Sequence, residues 1–118
     1  MKLNADNQGL AAEKLAATFL SQQGLKLVMS NYHCRYGEID LIMQEGNTLV
    51  FVEVRLRSNT TFGSAAASIT PQKQQKLIRT AQHYLQQHAI KTPCRFDAVL
   101  MQMANLGQIE WLRNAIET

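Results

Sequence analysis

Cysteine is scarce in this chain: two occur in 118 residues, Cys34 and Cys94, far apart and in no CxxC spacing. Clustered cysteines are typical of disulfide-rich secreted domains and of structural zinc sites. We therefore expect two reduced thiols. A zinc site built on His33, Cys34 and Cys94 would lack a convincing fourth ligand.

Long hydrophobic runs are also absent, since no apolar stretch approaches the roughly 20 residues that span a bilayer. Residues Met1 to Asp6 lack the apolar region of a signal peptide. These absences predict a cytoplasmic protein that does not cross a membrane. A length of 118 residues with 46% hydrophobic content suits one domain, residues 1–118, around one core.

Acidic residues are the minority charge, with 9 Asp and Glu against 12 Lys and Arg, which gives a net charge of +3 and a sequence pI of about 9.1. An excess of this size permits nucleic acid as a partner but does not demand it. The sequence has no Gly-rich phosphate loop and no Ser/His/Asp or Cys/His arrangement. The local arrangement of charges is therefore more informative than their total.

The predicted order of elements is α-β-β-β-α-β-β, an α/β or α+β domain with a mixed sheet. A helix at residues 6–23 ends at Gly24, and a second helix begins at Thr70-Pro71 and reaches about His88. Strands are predicted at residues 25–32, 38–45, 48–57, 95–103 and 108–113, with a turn at 105–107. The Ser/Thr/Gly/Ala-rich stretch at 58–68 is predicted to be a mobile loop.

Two apolar runs meet at Gly46-Asn47, which is typical of a two-residue hairpin turn. Folding about this turn pairs residues whose numbers sum to 93, so that Asp40 faces Glu53 and Glu38 faces Arg55. Like charges opposed across an antiparallel pair are destabilising, and a divalent cation between them would remove the repulsion. The alternative is a ladder of surface salt bridges, in which arginines neutralise all three carboxylates.

Glu13 lies near the middle of the apolar face of the first helix. At about 100° per residue it falls on one line with Gly9, Ala16 and Leu20. A carboxylate at that position points toward the sheet and must be paired, protonated or bound to a metal. The alternative is that the Glu13 side chain bends out to solvent.

Two further charged residues are ambiguous. Lys73 lies in the first turn of the second helix, where backbone N–H groups attract anions, and it could bind the same phosphate or be an ordinary solvated lysine. Asp97 lies at a strand start, where it could support either Arg95 or the acidic cluster.

Glu13, Asp40 and Glu53 would together supply three oxygen ligands from a helix and two adjacent strands. Mg²⁺ prefers few carboxylates and several waters, which leaves room for a substrate phosphate. Such an ion can activate a water and neutralise charge on a scissile phosphate. Arg55, two residues after Glu53 on the same strand face, would contact that phosphate. The pattern therefore predicts metal-dependent phosphodiester hydrolysis.

These residues also carry a resemblance. Glu13, Gly37-Glu38-Ile39-Asp40 and Phe51-Val52-Glu53-Val54-Arg55 resemble the PD-(D/E)xK nuclease pattern. A closer resemblance is to the YraN-like family of uncharacterised bacterial proteins, whose pattern is an early Ala-Glu, GEIDLI, VFVEV[KR]xR and a late RFD. The matching segments span nearly the whole chain and are Ala12-Glu13, Gly37 to Ile42, Val50 to Arg57 and Arg95 to Asp97.

That family is similar in sequence to archaeal Holliday-junction resolvases. The resemblance implies a restriction-endonuclease-like core, α-β-β-β-α-β, here with an extra C-terminal strand. It also implies that Glu13, Asp40 and Glu53 are the metal ligands and that Val54 is the hydrophobic spacer.

The chain departs from the nuclease pattern at Arg55, where the pattern has Lys, and at Ile39, where it has Pro. Arginine stays protonated and cannot act as a base, although it can clamp a phosphate or stabilise developing charge. The water-orienting role of the missing Lys would fall to another residue, for which Lys73 is the candidate.

The first hypothesis is a Mg²⁺- or Mn²⁺-dependent DNA endonuclease that acts on branched or damaged DNA. Asp40 and Glu53 would hold the metal with Glu13, Arg55 would steady the scissile phosphate, and flanking phosphates would be bound by Arg35, Arg57 and Lys73. The alternative is a non-catalytic nucleic-acid-binding or partner-binding module with a degenerate nuclease site. A resolvase-like enzyme favours a homodimer, for which the strand Gln108 to Arg113 is a candidate edge.

Overall fold

Within the residues that the structure describes, 5–57, 69–102 and 105–116, two helices and five strands follow one another in the predicted order. The structure is a computed structural model, and the segment predicted as a mobile loop, 58–68, lies outside the described residues. The elements are α1 (Ala5–Gln22), β1 (Lys26–Cys34), β2 (Gly37–Glu45), β3 (Thr48–Arg57), α2 (Pro71–Gln87), β4 (Cys94–Gln102) and β5 (Asn105–Ile116). None of the helices in these ranges is long and apolar enough to cross a membrane.

The described strands form a single mixed sheet in the order β1-β2-β3-β4-β5. β3 and β4 are parallel and are connected through α2, whereas the other neighbouring strands are antiparallel. This arrangement confirms the predicted α/β class, with a mixed sheet, flanking helices and an additional C-terminal strand.

Each helix covers a different face of the sheet. On one face, Ala12, Ala16 and Leu20 of α1 pack with a cluster that includes Val50 and Val52. On the other face, Leu77, Ala81 and Tyr84 of α2 pack around Phe51, which stacks on Phe96 with ring centroids 5.3 Å apart. The alternation of Val50, Phe51 and Val52 between the two clusters is the period of two that the sequence of β3 predicts.

The Gly46-Asn47 turn sets the register that the sequence predicts. Five pairs, from Glu45 with Thr48 to Leu41 with Val52, have residue numbers that sum to 93. At the start of α2, the Thr70 hydroxyl accepts a hydrogen bond from the backbone N–H of Lys73 at 3.2 Å, which confirms the predicted N-cap.

The prediction of a turn at residues 105–107 is wrong, because β5 already begins at Asn105, paired with Gln102. β5 also extends beyond residue 113 to Ile116, which pairs with Phe96. The reason is a bulge: the two β4 residues after Phe96 are matched by four residues of β5, so β5 needs a longer segment to cover the same strand.

Candidate functional site

Asp40 lies where the sheet divides. The ladder between β2 and β3 runs only as far as Leu41 and Val52. Beyond that pair, β2 continues against β1 while β3 continues against β4. The Oδ2 atom of Asp40 accepts a hydrogen bond from the backbone N–H of Val54 at 2.8 Å. A side-chain carboxylate thus takes the place of a ladder carbonyl and holds the two strands at the fork.

Glu53 is the most strongly perturbed carboxyl group of the site. Its side chain is 13% exposed. Burial, followed by the charge of Asp40 and a hydrogen bond with its carboxyl group, raises the pKa of Glu53 to about 7. Lys73 and Arg55 oppose this rise in pKa. The ladder ends before the predicted pairs Asp40–Glu53 and Glu38–Arg55, so neither is a ladder pair, but the carboxyl groups of Asp40 and Glu53 still interact.

Glu13 approaches Asp40 from α1. Its Oε1 atom is buried and has no hydrogen-bond partner among the described residues, so the side chain does not simply bend out to solvent. Burial and, next, the charge of Asp40 raise the pKa of Glu13, while a hydrogen bond with the Asn31 side chain opposes the rise. Three carboxyl groups thus converge, with Asp40 between the other two.

Asn31 is a site residue that the sequence analysis missed. It lies in β1 opposite Asp40, between the pairs Ser30–Leu41 and Tyr32–Ile39, with a φ of 56°. A positive φ is uncommon for residues other than Gly, and Asn is among the few that tolerate it. An Asn inside an otherwise regular strand was the available signal.

Two cations contact the acidic group, one from β3 and one from α2. Arg55 Nη1 lies 3.7 Å and Lys73 Nζ 3.6 Å from Oε2 of Glu53. Lys73 therefore reaches into the acidic group, whereas the sequence suggested an anion site at the start of α2. A groove of about 380 Å³ opens here, lined by Gly37, Glu38, Asp40, Glu53, Val54, Arg55, Lys73, Lys76 and Leu77.

The other two arginines that were predicted to bind phosphate are Arg35 and Arg57. Arg35 lies in the turn between β1 and β2, with its guanidinium over the ring of Tyr36 and outside the acidic groove. Arg57 is the last residue of β3, and its side chain lies outside the described residues.

Asp97 belongs to a different cluster, which resolves the ambiguity of the sequence. Its buried carboxylate accepts two hydrogen bonds from Arg95, one from the Trp111 indole N–H and one from the backbone N–H of Asn114, all at 3.0–3.1 Å. Arg95 also donates to Glu45 at 2.7 Å. Asp97 therefore joins β4 to the bulged end of β5.

The donor set of the site suits a hard divalent cation, because Glu13, Asp40 and Glu53 offer only carboxylate oxygens. The buried and unpartnered Oε1 of Glu13 is an acceptor in need of a positive partner. In the described part of the chain, however, no three acidic, histidine or cysteine side chains lie at metal-ligand spacing. A metal would have to draw the carboxylates closer together or bind through fewer of them and water.

Comparison with known proteins gives one consistent result. Residues 12–101 match the model of the Uncharacterised protein family UPF0102. A UPF0102 protein of Nitrosomonas europaea is 59% identical over 114 residues, which is 97% of each chain. UPF0102 proteins of Methylobacillus flagellatus and Legionella pneumophila are 56% and 52% identical, over 88% and 93% of this chain and 91% and 94% of theirs.

Proposed function

This chain belongs to the Uncharacterised protein family UPF0102, the YraN-like bacterial family that its motifs predict, and from its site we propose that it is a Mg²⁺- or Mn²⁺-dependent DNA endonuclease. The observation that carries the proposal is the convergence of Glu13 and Glu53 on Asp40, with the pKa values of both glutamates raised. Crowded, desolvated carboxyl groups destabilise an empty site and favour one that contains a divalent cation.

The proposed ligands are Asp40 and Glu53, with Glu13 as the third carboxylate. The metal, when bound, would supply charge neutralisation at the scissile phosphate and a water of lowered pKa. Because the empty site raises the pKa of Glu53 to about 7 and also raises that of Glu13, metal binding would compete with protons for the same oxygens.

Arg55 and Lys73 have distinct proposed roles. Arg55 cannot take up a proton at a working pH, so its role is to hold a phosphate oxygen and stabilise charge. Lys73 has a compact ammonium group that can orient the attacking water or contact the phosphate. Its contact with Glu53 places that ammonium at the acidic group, as a strand Lys at position 55 would be.

The second candidate is a nucleic-acid-binding or partner-binding module with a degenerate nuclease site. The observation that favours it is that Glu53 already contacts two cations, Arg55 and Lys73, which partly neutralise the acidic group. Such a module would bind DNA with a steep salt dependence and would not cleave it in any divalent metal.

The deciding experiment is cleavage of labelled single-stranded, duplex, flap and four-way-junction DNA with Mg²⁺, with Mn²⁺ or with chelator. The variants are Asp40→Asn and Glu53→Gln, and the matched control is Glu110→Gln, an exposed carboxylate on β5. The endonuclease requires cleavage that depends on metal, disappears in both site variants and persists in the control. Cleavage that ignores the site variants, or its absence on every substrate, would favour the second candidate.

Branched DNA and a homodimer are further parts of this proposal. A four-way junction presents two symmetric strands, which suits a dimer with a two-fold axis. β5 lies at one edge of the described sheet, although its Trp111 is also occupied within the chain, edge-on to Phe19 with centroids 6.2 Å apart. Solution scattering would test the dimer.

A further inference from the structure

A polar track leaves the acidic groove and follows α2. A second groove, of about 360 Å³, shares Lys76 with the acidic groove and is otherwise lined by Arg35, Tyr36, Gln72, Gln75 and Arg79. A third groove, of about 630 Å³, shares Arg35, Tyr36 and Arg79 with the second and continues to the C-terminal end of α2. We call these two adjoining grooves the α2 track.

The charge of the α2 track is of one sign. Lys76 and Arg79 line the track and are three residues apart, so they are neighbours on the surface of α2, and Lys73 precedes Lys76 by the same interval. The helix sequence from Pro71 to Gln87 contains no Asp or Glu, and apart from Lys76 and Arg79 its exposed positions along the grooves are glutamines. A positive face with amide side chains suits a polyanion that also offers hydrogen-bonding groups.

Tyr36, an aromatic residue in the turn between β1 and β2, lines the α2 track. Gly37 makes the close approach of the turn to α2 possible: its φ is 152°, and a Cβ atom there would lie 3.1 Å from Thr80 Oγ1. The turn therefore sets Tyr36 against α2, with its ring centroid 6.0 Å from that of His83.

Tyr36 and Arg35 form one surface. The Arg35 guanidinium carbon lies 4.9 Å from the centroid of the Tyr36 ring, and Arg35 Nη2 donates to the Tyr36 hydroxyl at 2.7 Å. Aromatic rings and guanidinium planes are the groups on which unstacked bases stack. Duplex DNA hides its base faces, so a stacking surface is of use only to a strand with exposed bases.

We propose that the α2 track binds a single strand of DNA that leads away from the acidic groove. Lys76, Arg79 and Arg35 contact its phosphates, and a base stacks on Tyr36. A positively charged groove with interleaved aromatic side chains is the usual construction of single-strand binding sites. The inference rests on the proposed function for the choice of DNA, and it selects substrates with an unpaired arm among the branched forms.

Binding is measured without cleavage, in chelator and with Asp40→Asn as the background. The probes are a short fluorescent single strand, the duplex of the same sequence and a flap that carries the single strand as its arm. Lys76→Gln with Arg79→Gln is compared with Lys14→Gln with Lys26→Gln, which removes the same charge from exposed positions on α1 and β1. The first pair is expected to lower the salt slope for the single strand by about 1.4, at about 0.7 per lost phosphate contact.

Tyr36 provides the second measurement. Tyr36→Ala is expected to weaken binding of the single strand and the flap by about tenfold or more, the loss of one stacked base, and to leave duplex binding unchanged. Tyr36→Phe keeps the ring and is expected to bind like the parent protein. These variants do not alter the acidic group.

Three outcomes would overturn the inference: equal effects of the two charge pairs, equal weakening of single-strand and duplex binding by Tyr36→Ala, or loss of binding in Tyr36→Phe. Binding that follows the expected pattern in a protein that cleaves no DNA would overturn only the endonuclease. Metal-dependent cleavage by a protein whose single-strand binding ignores Tyr36 would overturn only the α2 track.

Discussion

Lys73 Nζ lies 3.6 Å from Glu53 Oε2, although the two residues are on different elements, α2 and β3. The only other cation recorded at Glu53 in the described residues is Arg55, at 3.7 Å on the same strand. The position that the nuclease pattern fills with a strand lysine is thus approached here by an arginine from β3 and a lysine from α2. The proposed division of one role between these two cations has consequences that can be measured.

The stability of the metal-free protein should fall as the pH rises from about 4.5 to about 7. The pKa of Glu53 is about 7 in the folded chain and has an ordinary value of 4.5. In this window the unfolded chain releases the proton that the folded chain retains, so the free energy of unfolding decreases with pH. The decrease attributable to Glu53 is on the order of 3 kcal/mol, at about 1.36 kcal/mol per pKa unit. Urea unfolding in chelator across this range measures it.

Glu53→Gln is the matching control for the pH experiment, because glutamine does not titrate and has nearly the same shape. The variant should lose most of the pH dependence and be more stable than the parent above pH 7 in chelator. Identical pH profiles for the two proteins would show that Glu53 is not held in a raised-pKa environment.

Divalent metal should offset the repulsion among the crowded carboxylates of Glu13, Asp40 and Glu53 and so stabilise the folded protein. Mg²⁺ or Mn²⁺ at a hundredfold excess over its Kd should stabilise the folded chain by about 2.7 kcal/mol. At one fixed metal concentration the stabilisation should be larger at pH 8 than at pH 6, because protons compete for the ligands and weaken metal binding at the lower pH. Thermal melts with and without metal measure this shift. Asp40→Asn should melt at the same temperature as the parent, or higher, in chelator, and should lose the metal shift. A large loss of stability in metal-free Asp40→Asn would indicate that the Asp40 carboxylate is chiefly a structural acceptor for the Val54 N–H, and it would contradict the metal site.

Removal of the Asp97 carboxylate should destabilise the protein, in contrast to Asp40→Asn, because protein donors fully satisfy this carboxylate. Asp97→Ala leaves the Arg95 guanidinium and the Trp111 indole without their buried acceptor, which should cost about 3–5 kcal/mol of stability. Metal should have no influence on that cost. Urea unfolding followed by the fluorescence of Trp111 measures it, and a loss below about 1 kcal/mol would mean that water or Glu45 replaces the acceptor.

Much of the candidate site follows from local patterns in the sequence. The Gly46-Asn47 turn determines the register of β2 and β3 as far as Leu41 and Val52, and Asp40 and Glu53, just beyond this last pair, still interact. The helical period places Glu13 on the inner face of α1. Each inference uses one short-range rule: the turn type for the hairpin and the helical period for Glu13.

What the sequence could not predict depends on contacts between distant elements. The sheet forks at Asp40 because β2 and β3 stop pairing with each other there, while β2 remains paired with β1 and β3 with β4. One hydrogen-bond donor to Asp97, the backbone N–H of Asn114, is brought to β4 by the bulge in β5, and a bulge follows no simple sequence rule. The spacing of Lys73, Lys76 and Arg79 was visible in the sequence, but only the fold places the turn with Tyr36 beside it.

The division of one role between Arg55 and Lys73 gives the last prediction. If Lys73 performs the water-orienting role, Lys73→Gln should lower kcat for cleavage by about 10²-fold or more, the usual contribution of such a group. It should also move the acidic limb of the pH–rate profile to higher pH, because Lys73 lowers the pKa of Glu53. Arg55→Lys restores the nuclease pattern and should retain or raise kcat.

The double variant, Arg55→Lys with Lys73→Gln, separates the two cations. If either lysine can serve, Arg55→Lys should rescue most of the activity that Lys73→Gln removes, because its ammonium starts from the same strand face as Glu53. Lys14→Gln is the matched control for the loss of one exposed lysine. Full activity of Lys73→Gln alone would remove Lys73 from the mechanism and leave Arg55 as the cation that stabilises the transition state.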